Sequence, residues 1–190
     1  LPVMKSYTAD DIVSFLNRNA EKLTCINISR HLRKYVVESG DDIFARIKVP
    51  KRINCVLFGG FTAEGLGAFV DRFRSRGLPI QFRSDYTKTT PENLYDVDDD
   101  DIFKTLDALF GLRCSSGCRI RCNYSFGSGE PDISYHKTLP YSTMTVERGG
   151  QSYDVLYDII IKQNGDLHSD WTGVPLDIEK YRRVIFEPYD

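Results

Sequence analysis

Apolar residues in the first two thirds of the chain recur at helical spacing in three places, each behind a capping oxygen and early acids. The segment Thr8-Ala9-Asp10-Asp11-Ile12-Val13-Ser14-Phe15-Leu16 aligns with Thr62-Ala63-Glu64-Gly65-Leu66-Gly67-Ala68-Phe69-Val70, and more loosely with Asp99-Asp100-Asp101-Ile102-Phe103-Lys104-Thr105-Leu106. Thr8 and Thr62 are placed to accept orphan N–H groups, and the acids oppose the positive end of the helix dipole. Each segment therefore predicts the start of an amphipathic helix. A short apolar stretch follows each one, at residues 24–29, 78–83 and 118–123. From Ile12 to Ile26 is 14 positions, from Leu66 to Ile80 again 14, and from Ile102 to Ile120 it is 18, with Gly111 and Gly117 in the longer link. The spacing predicts a helix-then-strand unit used three times, with a further strand, Ile53 to Phe58, ahead of the second helix. Between them, Arg30 to Glu38 reads as helix and Ile43 to Val49 alternates like a strand.

After about residue 140 the pattern changes to period two. Thr143 to Arg148, a Gly149-Gly150 turn, Ser152 to Gln163, an Asn164-Gly165 turn and Asp166 to Trp171 predict three antiparallel strands joined by tight hairpins, with Asn-Gly suited to a type I′ turn. Ile178, Tyr181, Val184 and Ile185 predict a last helix from Leu176 to about Phe186. The expected fold class is thus α/β (α+β), with helices on one face of a sheet, then a hairpin meander and a C-terminal helix. The expected division is a helix-strand part, 1–126, and a hairpin part with the C-terminal helix, 127–190, with one compact domain as the alternative. In layout the first part resembles leucine-rich-repeat domains, which line one face with strands and the other with helices. The leucine/asparagine consensus run is missing from residues 24–29, 78–83 and 118–123. Two polar connections, Ser84 to Asp98 and Phe126 to Asp132, are expected on the surface, where binding residues often sit.

Composition narrows the partners. With 190 residues, 41% hydrophobic and 27% charged, the chain has enough apolar material for a core, which excludes a disordered reading for most of it. Lys and Arg number 25 against 27 Asp and Glu, so any basic site must be local. No apolar run approaches the roughly 18 residues of a membrane span, and the opening Leu1-Pro2-Val3-Met4-Lys5 lacks a signal-peptide layout. Starting at Leu1, the chain reads as a piece of a longer protein. Five cysteines are an odd number, and Cys25 and Cys55 lie in apolar runs, which fits a reducing, intracellular compartment, cytoplasmic or nuclear.

Candidate chemistries each meet an obstacle. Cys114, Cys118 and Cys122, with His136 as a fourth ligand, have the residue types for zinc, but residues four apart on a strand are separated by about 13 Å. The acids from Asp96 to Asp101 lack the alternating ligands and glycine of an EF-hand loop and are better read as a helix cap. Asp132 has no acid-x-Lys triplet downstream to complete a metal-dependent nuclease core. The run Ser125-Phe126-Gly127-Ser128-Gly129 has Phe where a nucleophile elbow needs its first glycine, and His31, His136 and His168 fall in no recognisable pairing. No catalytic residue, metal or cofactor is assigned.

Strand alternation carries the functional expectation. If Ile80 and Phe82 face the helices, Gln81 and Arg83 face away; if Cys118, Ile120 and Cys122 are buried, Arg119, Arg121 and Asn123 are not. Guanidiniums side by side repel unless an acidic partner joins them, and arginine suits bidentate carboxylate or phosphate contacts. Tyrosines such as Tyr86, Tyr95, Tyr135 and Tyr141, in or beside the polar connections, fit a recognition surface. The expectation is a non-catalytic adaptor or recognition domain docking an acidic protein partner at Gln81, Arg83, Tyr86, Arg119, Arg121 and Asn123. The alternative is an RNA or single-strand binder stacking bases on Tyr86 or Phe126. A third class is an enzyme working from the Gly127 to His136 loop.

Overall fold

The computed structural model describes residues 8–32, 41–118, 120–129, 131–139, 143–156, 160–162, 164–168 and 174–176. Three α-helices form where caps and periodicity coincide. Helix α1 (Ala9–Arg18) opens on a capping box: Thr8 Oγ1 accepts the Asp11 N–H at 3.2 Å and Asp11 accepts the Thr8 N–H at 2.9 Å. The Thr8 N–H, together with the Thr8 hydroxyl that donates to the same carboxylate at 2.7 Å, holds the Asp11 carboxyl below its ordinary pKa. Helix α2 (Ala63–Arg74) is capped by Thr62, which accepts the Gly65 N–H. Helix α3 (Asp101–Phe110) is capped by Asp100, whose Oδ1 accepts the N–H groups of Ile102 and Phe103, each at 3.0 Å.

One mixed six-stranded sheet holds β1 (Ile26–Ser29), β2 (Lys51–Leu57), β3 (Ile80–Ser84), β4 (Leu112–Cys118), β5 (Arg121–Phe126) and β6 (Ile133–Thr138) in the order β1-β2-β3-β6-β5-β4. The first four in that order run parallel and progress in chain order; β5 and β4 are antiparallel additions. Helices line one side. Phe69 of α2 packs on Phe73 and on Phe82 of β3, with ring centroids 5.0 and 5.7 Å away. Phe103 of α3 packs on Tyr124 and Phe126 of β5 at 4.9 and 5.8 Å. Ile53, Ile80 and Ile133 complete this apolar face, each at most 1% exposed. Each such side chain contributes roughly 1.5–3 kcal/mol by leaving water.

Several expectations need correction. The segments at 24–29, 78–83 and 118–123 share the sheet but are not neighbours, because β2 and β6 lie between them. The third segment is not one strand: β4 ends at Cys118 and β5 begins at Arg121, so a tight hairpin separates them. Residues 43–49 do not form a strand; Asp41–Arg46 is a 3-10 turn that buries Phe44. Arg33 to Glu38 lies outside the described residues. The connection from Ser84 to Asp98 is not wholly superficial, since it buries Thr89 and Leu94. Strands β5 and β6, which flank residue 126, are hydrogen-bonded neighbours in the sheet.

Beyond the sheet, β7 (Thr143–Arg148) and β8 (Gln151–Leu156) form a separate antiparallel hairpin. Its turn uses Gly149 and Gly150 at φ 59° and 77°, the two positive values a type I′ turn requires. A shorter ladder joins β9 (Ile160–Ile161) to β10 (Leu167–His168). Here the Asn-Gly turn departs from type I′: only Gly165 has positive φ, 89°, and its N–H donates to the Lys162 carbonyl. The expected helix from Leu176 to Phe186 lies, past its first residue, outside the described residues.

A buried ion pair ties the polar connection to the sheet. Lys137 Nζ lies 3.0 Å from Asp100 Oδ2, with the two side chains 6% and 10% exposed, and donates to the Asp96 carbonyl at 2.7 Å. Tyr135 donates its hydroxyl to the same Asp100 oxygen at 3.0 Å, and Cys122 Sγ contacts the Leu94 carbonyl at 3.0 Å. Burial first, and then the Asp100 charge, pushes the Tyr135 phenol pKa upward. Removing one partner of a buried pair strands the other charge. Lys137→Met should therefore lower stability by about 3–5 kcal/mol in urea unfolding; a loss under about 1 kcal/mol would show that Asp100 does not need this partner.

Candidate docking face of the sheet

The side of the sheet opposite the aromatic core is polar. Register places Ser29, Asn54, Gln81, Ser134 and Ser125 in one row across it, and Val56, Arg83, His136, Asn123 and Ser116 in the next. Beyond these, Thr138, Arg121 and Cys118 share a third row, and Asn27 pairs with Arg52 at the other end. The strand positions on this side carry Arg52, Arg83 and Arg121 and no Asp or Glu. The alternation is the cause: each inward Ile, Phe or Tyr forces its polar neighbour outward.

His136 sits at the centre. Gln81 donates its side-chain amide to His136 Nε2 at 2.8 Å, a bond that needs that nitrogen unprotonated. Burial pushes the imidazole pKa down from 6.5 to about 4, helped by the charges of Arg83, Arg52 and Arg121. The ring is therefore neutral near pH 7 and adds no charge to the three guanidiniums. Arg52 is steered by a bond from its Nε to Asn27 Oδ1 at 2.6 Å, while Arg83 is exposed and Arg121 half-buried. Two buried acceptors on this side, Asn54 Oδ1 and Asn123 Oδ1, have no hydrogen-bond partner. The face thus offers positive charge for an anion.

The six residues singled out from the sequence fare differently. Arg83, Arg121 and Asn123 lie on this face, in adjacent rows. Gln81 points the same way yet is only 5% exposed, because strands flank it on both sides and His136 holds its amide. Tyr86 lies just past β3 in a 3-10 turn and is exposed. Arg119 is outside the described residues. Pattern reading missed Arg52, Asn54, Ser134 and His136 as members of the face; the alternation of Ile133 and Tyr135 with Ser134 and His136 was the available signal.

Other candidates dissolve on geometry. Phe126, offered as a base-stacking ring, is 1% exposed against Phe103, and Tyr135 is equally buried. His136 bonds Gln81 while Asp132 pairs with Arg113, so no Ser128–His136–Asp132 arrangement is assembled. Cys118 shares a face with Arg121, whereas Cys122, opposite Gly117, faces the helices. Among the described residues no cluster of three or more His, Cys, Asp or Glu is set to hold a metal ion. All five cysteines are unbridged, and burial pushes the Cys55 thiol up to about 12. No family model matches the chain, and no curated protein or solved structure does either.

The low pKa of His136 fixes a sign for acid sensitivity. Between 6.5 and about 4 the unfolded chain binds a proton that the folded face rejects, so this group's contribution is intact above that window and shrinks as pH falls through it. Urea unfolding of wild type and His136→Gln at steps from pH 7 to 4 should show the wild type losing more stability than the variant. Parallel curves would mean that the ring titrates normally.

Proposed function

We propose that this chain is a non-catalytic intracellular recognition module, an adaptor piece of a larger protein, that docks an acidic protein segment on the polar face of its sheet. The carrying observation is the set Arg52, Arg83 and Arg121 around an uncharged His136 on a face with no acid at any strand position. Arginine suits bidentate carboxylate contacts, so a face that carries three of them and no acid at its strand positions favours an acidic segment. Helices α2 and α3 pack on one face of the sheet, which supports the opposite face as the binding surface. Among the described residues no helix is long and apolar enough to cross a membrane.

The test is binding of a glutamate-rich peptide by titration calorimetry at two salt concentrations. Wild type should bind and weaken with salt, and the Arg83→Glu/Arg121→Glu variant should bind at least about tenfold more weakly. Equal affinity for both proteins removes the proposal. So does tighter, salt-sensitive binding of single-stranded RNA than of peptide, which selects the nucleic-acid reading instead.

A further inference from the structure

Between β3 and α3 the chain crosses the helix side of the sheet, and residues 91–99 form no helix or strand there. That stretch is bonded largely to itself and to the residues just before it. Asn93 Oδ1 accepts the Thr90 N–H at 2.9 Å, Asn93 Nδ2 donates to the Lys88 carbonyl at 3.0 Å, and the Asp98 N–H donates to Asp96 Oδ1 at 3.0 Å. Among the described residues no backbone–backbone hydrogen bond joins it to a strand. Three side-chain bonds do: Lys137 Nζ to the Asp96 carbonyl, Cys122 Sγ to the Leu94 carbonyl, and the Tyr95 hydroxyl to the Cys118 carbonyl at 2.6 Å. Leu94 is its one fully buried side chain. The two ends are fixed separately, by the Ser84 and Thr89 hydroxyls 3.2 Å apart and by Asp100, which stays with α3 as its cap and with Lys137 as its ion partner. The stretch between them can therefore leave the sheet without stranding the Lys137 charge.

We infer that residues 91–99 are a strap that lifts off the sheet as one unit while the strands stay folded, with Tyr95 on Gly117 as its latch and the Cys122 thiol uncovered when it opens. The device is independent of the docking face, which lies on the other side of the sheet. Gly117 is what lets the latch close: an added Cβ there would meet the Tyr95 hydroxyl at 2.7 Å and the ring carbon Cε1 at 2.9 Å. Gly117 is also the register partner of Cys122, so Tyr95 covers the residue opposite the thiol while Leu94 meets the thiol itself. Tyr95 is 54% exposed, so its hold on the sheet comes from one hydroxyl bond and this close fit more than from burial. Segments held by few buried apolar contacts and few backbone bonds open locally at a lower free-energy cost than the whole fold. Cys122 is only 1% exposed in the closed form, as is fitting for a group reached through such an opening.

The chain carries its own control, because Cys55 is 0% exposed in β2 and is reached only when the sheet itself opens. The test is alkylation of the native protein by N-ethylmaleimide, with the rate at each cysteine read by mass spectrometry. Cys122 should react about tenfold or more faster than Cys55. Gly117→Ala, which crowds the Tyr95 ring, should speed Cys122 and leave Cys55 unchanged. Because that Cβ also lies 3.0 Å from the Arg121 carbonyl, Tyr95→Phe serves as a second variant that removes the latch bond alone, and it should speed Cys122 about fivefold. Equal rates at Cys122 and Cys55 in the wild type would mean that the strap opens only with the whole fold, and overturn the inference. So would a Cys122 rate that neither variant changes, or one that follows the loss of hydrogen-exchange protection in the β4–β5 amides, which assigns the opening to the hairpin.

Discussion

The register of β6 is the constraint on which the arrangement depends, and the Asp100–Lys137 pair enforces it. Lys137 is an inward-facing residue in a central part of the sheet, and its charge is tolerable there only because Asp100 and the Asp96 carbonyl meet it. Asp100 in turn caps α3 and accepts from Tyr135, so one carboxylate joins a helix start, a polar connection and a strand. A slip of one residue would turn Lys137 out and His136 into the aromatic layer. The buried pair therefore does more than hold the loop. It decides which side of β6 faces the arginines.

With that register set, the polar face follows from strand order. Placing β6 between β3 and β5 puts His136 between Arg83 and Asn123, and Gln81 within hydrogen-bond reach of the ring. The neutral imidazole separates guanidiniums without adding to their repulsion. The buried side-chain oxygens of Asn54 and Asn123, without a hydrogen-bond partner, are unfavourable for stability alone. Local departures of that sort are expected where a protein binds something.

The sequence disclosed the parts governed by local rules. Thr8, Thr62 and Asp100 capped helices where their spacing predicted, and Gly149-Gly150 made the expected hairpin. Strands β4 and β6 escaped notice for opposite reasons. β4 lies exposed on both sides and has no hydrophobic alternation to read. β6 hides its alternation behind an inward Lys137, whose partner is 37 residues earlier in the chain. Arg83, Arg121 and Asn123 were legible as one face because alternation alone places them. Alternation with Ile133 and Tyr135 marks the side of β6 that His136 occupies, but its place beside Arg83, like that of Arg52 beside Asn27, comes only from long-range strand pairing.

The most direct check of the docking face is the titration of the His136 ring, read by NMR in the free protein and with a saturating acidic peptide. Burial, the larger cause of the low pKa, persists in the complex, while carboxylates that approach Arg83 and Arg121 offset the part due to the arginine charges, so the pKa should rise above about 4 yet stay well below 6.5. A ring that titrates identically with and without bound peptide would place the acidic partner elsewhere and contradict the account.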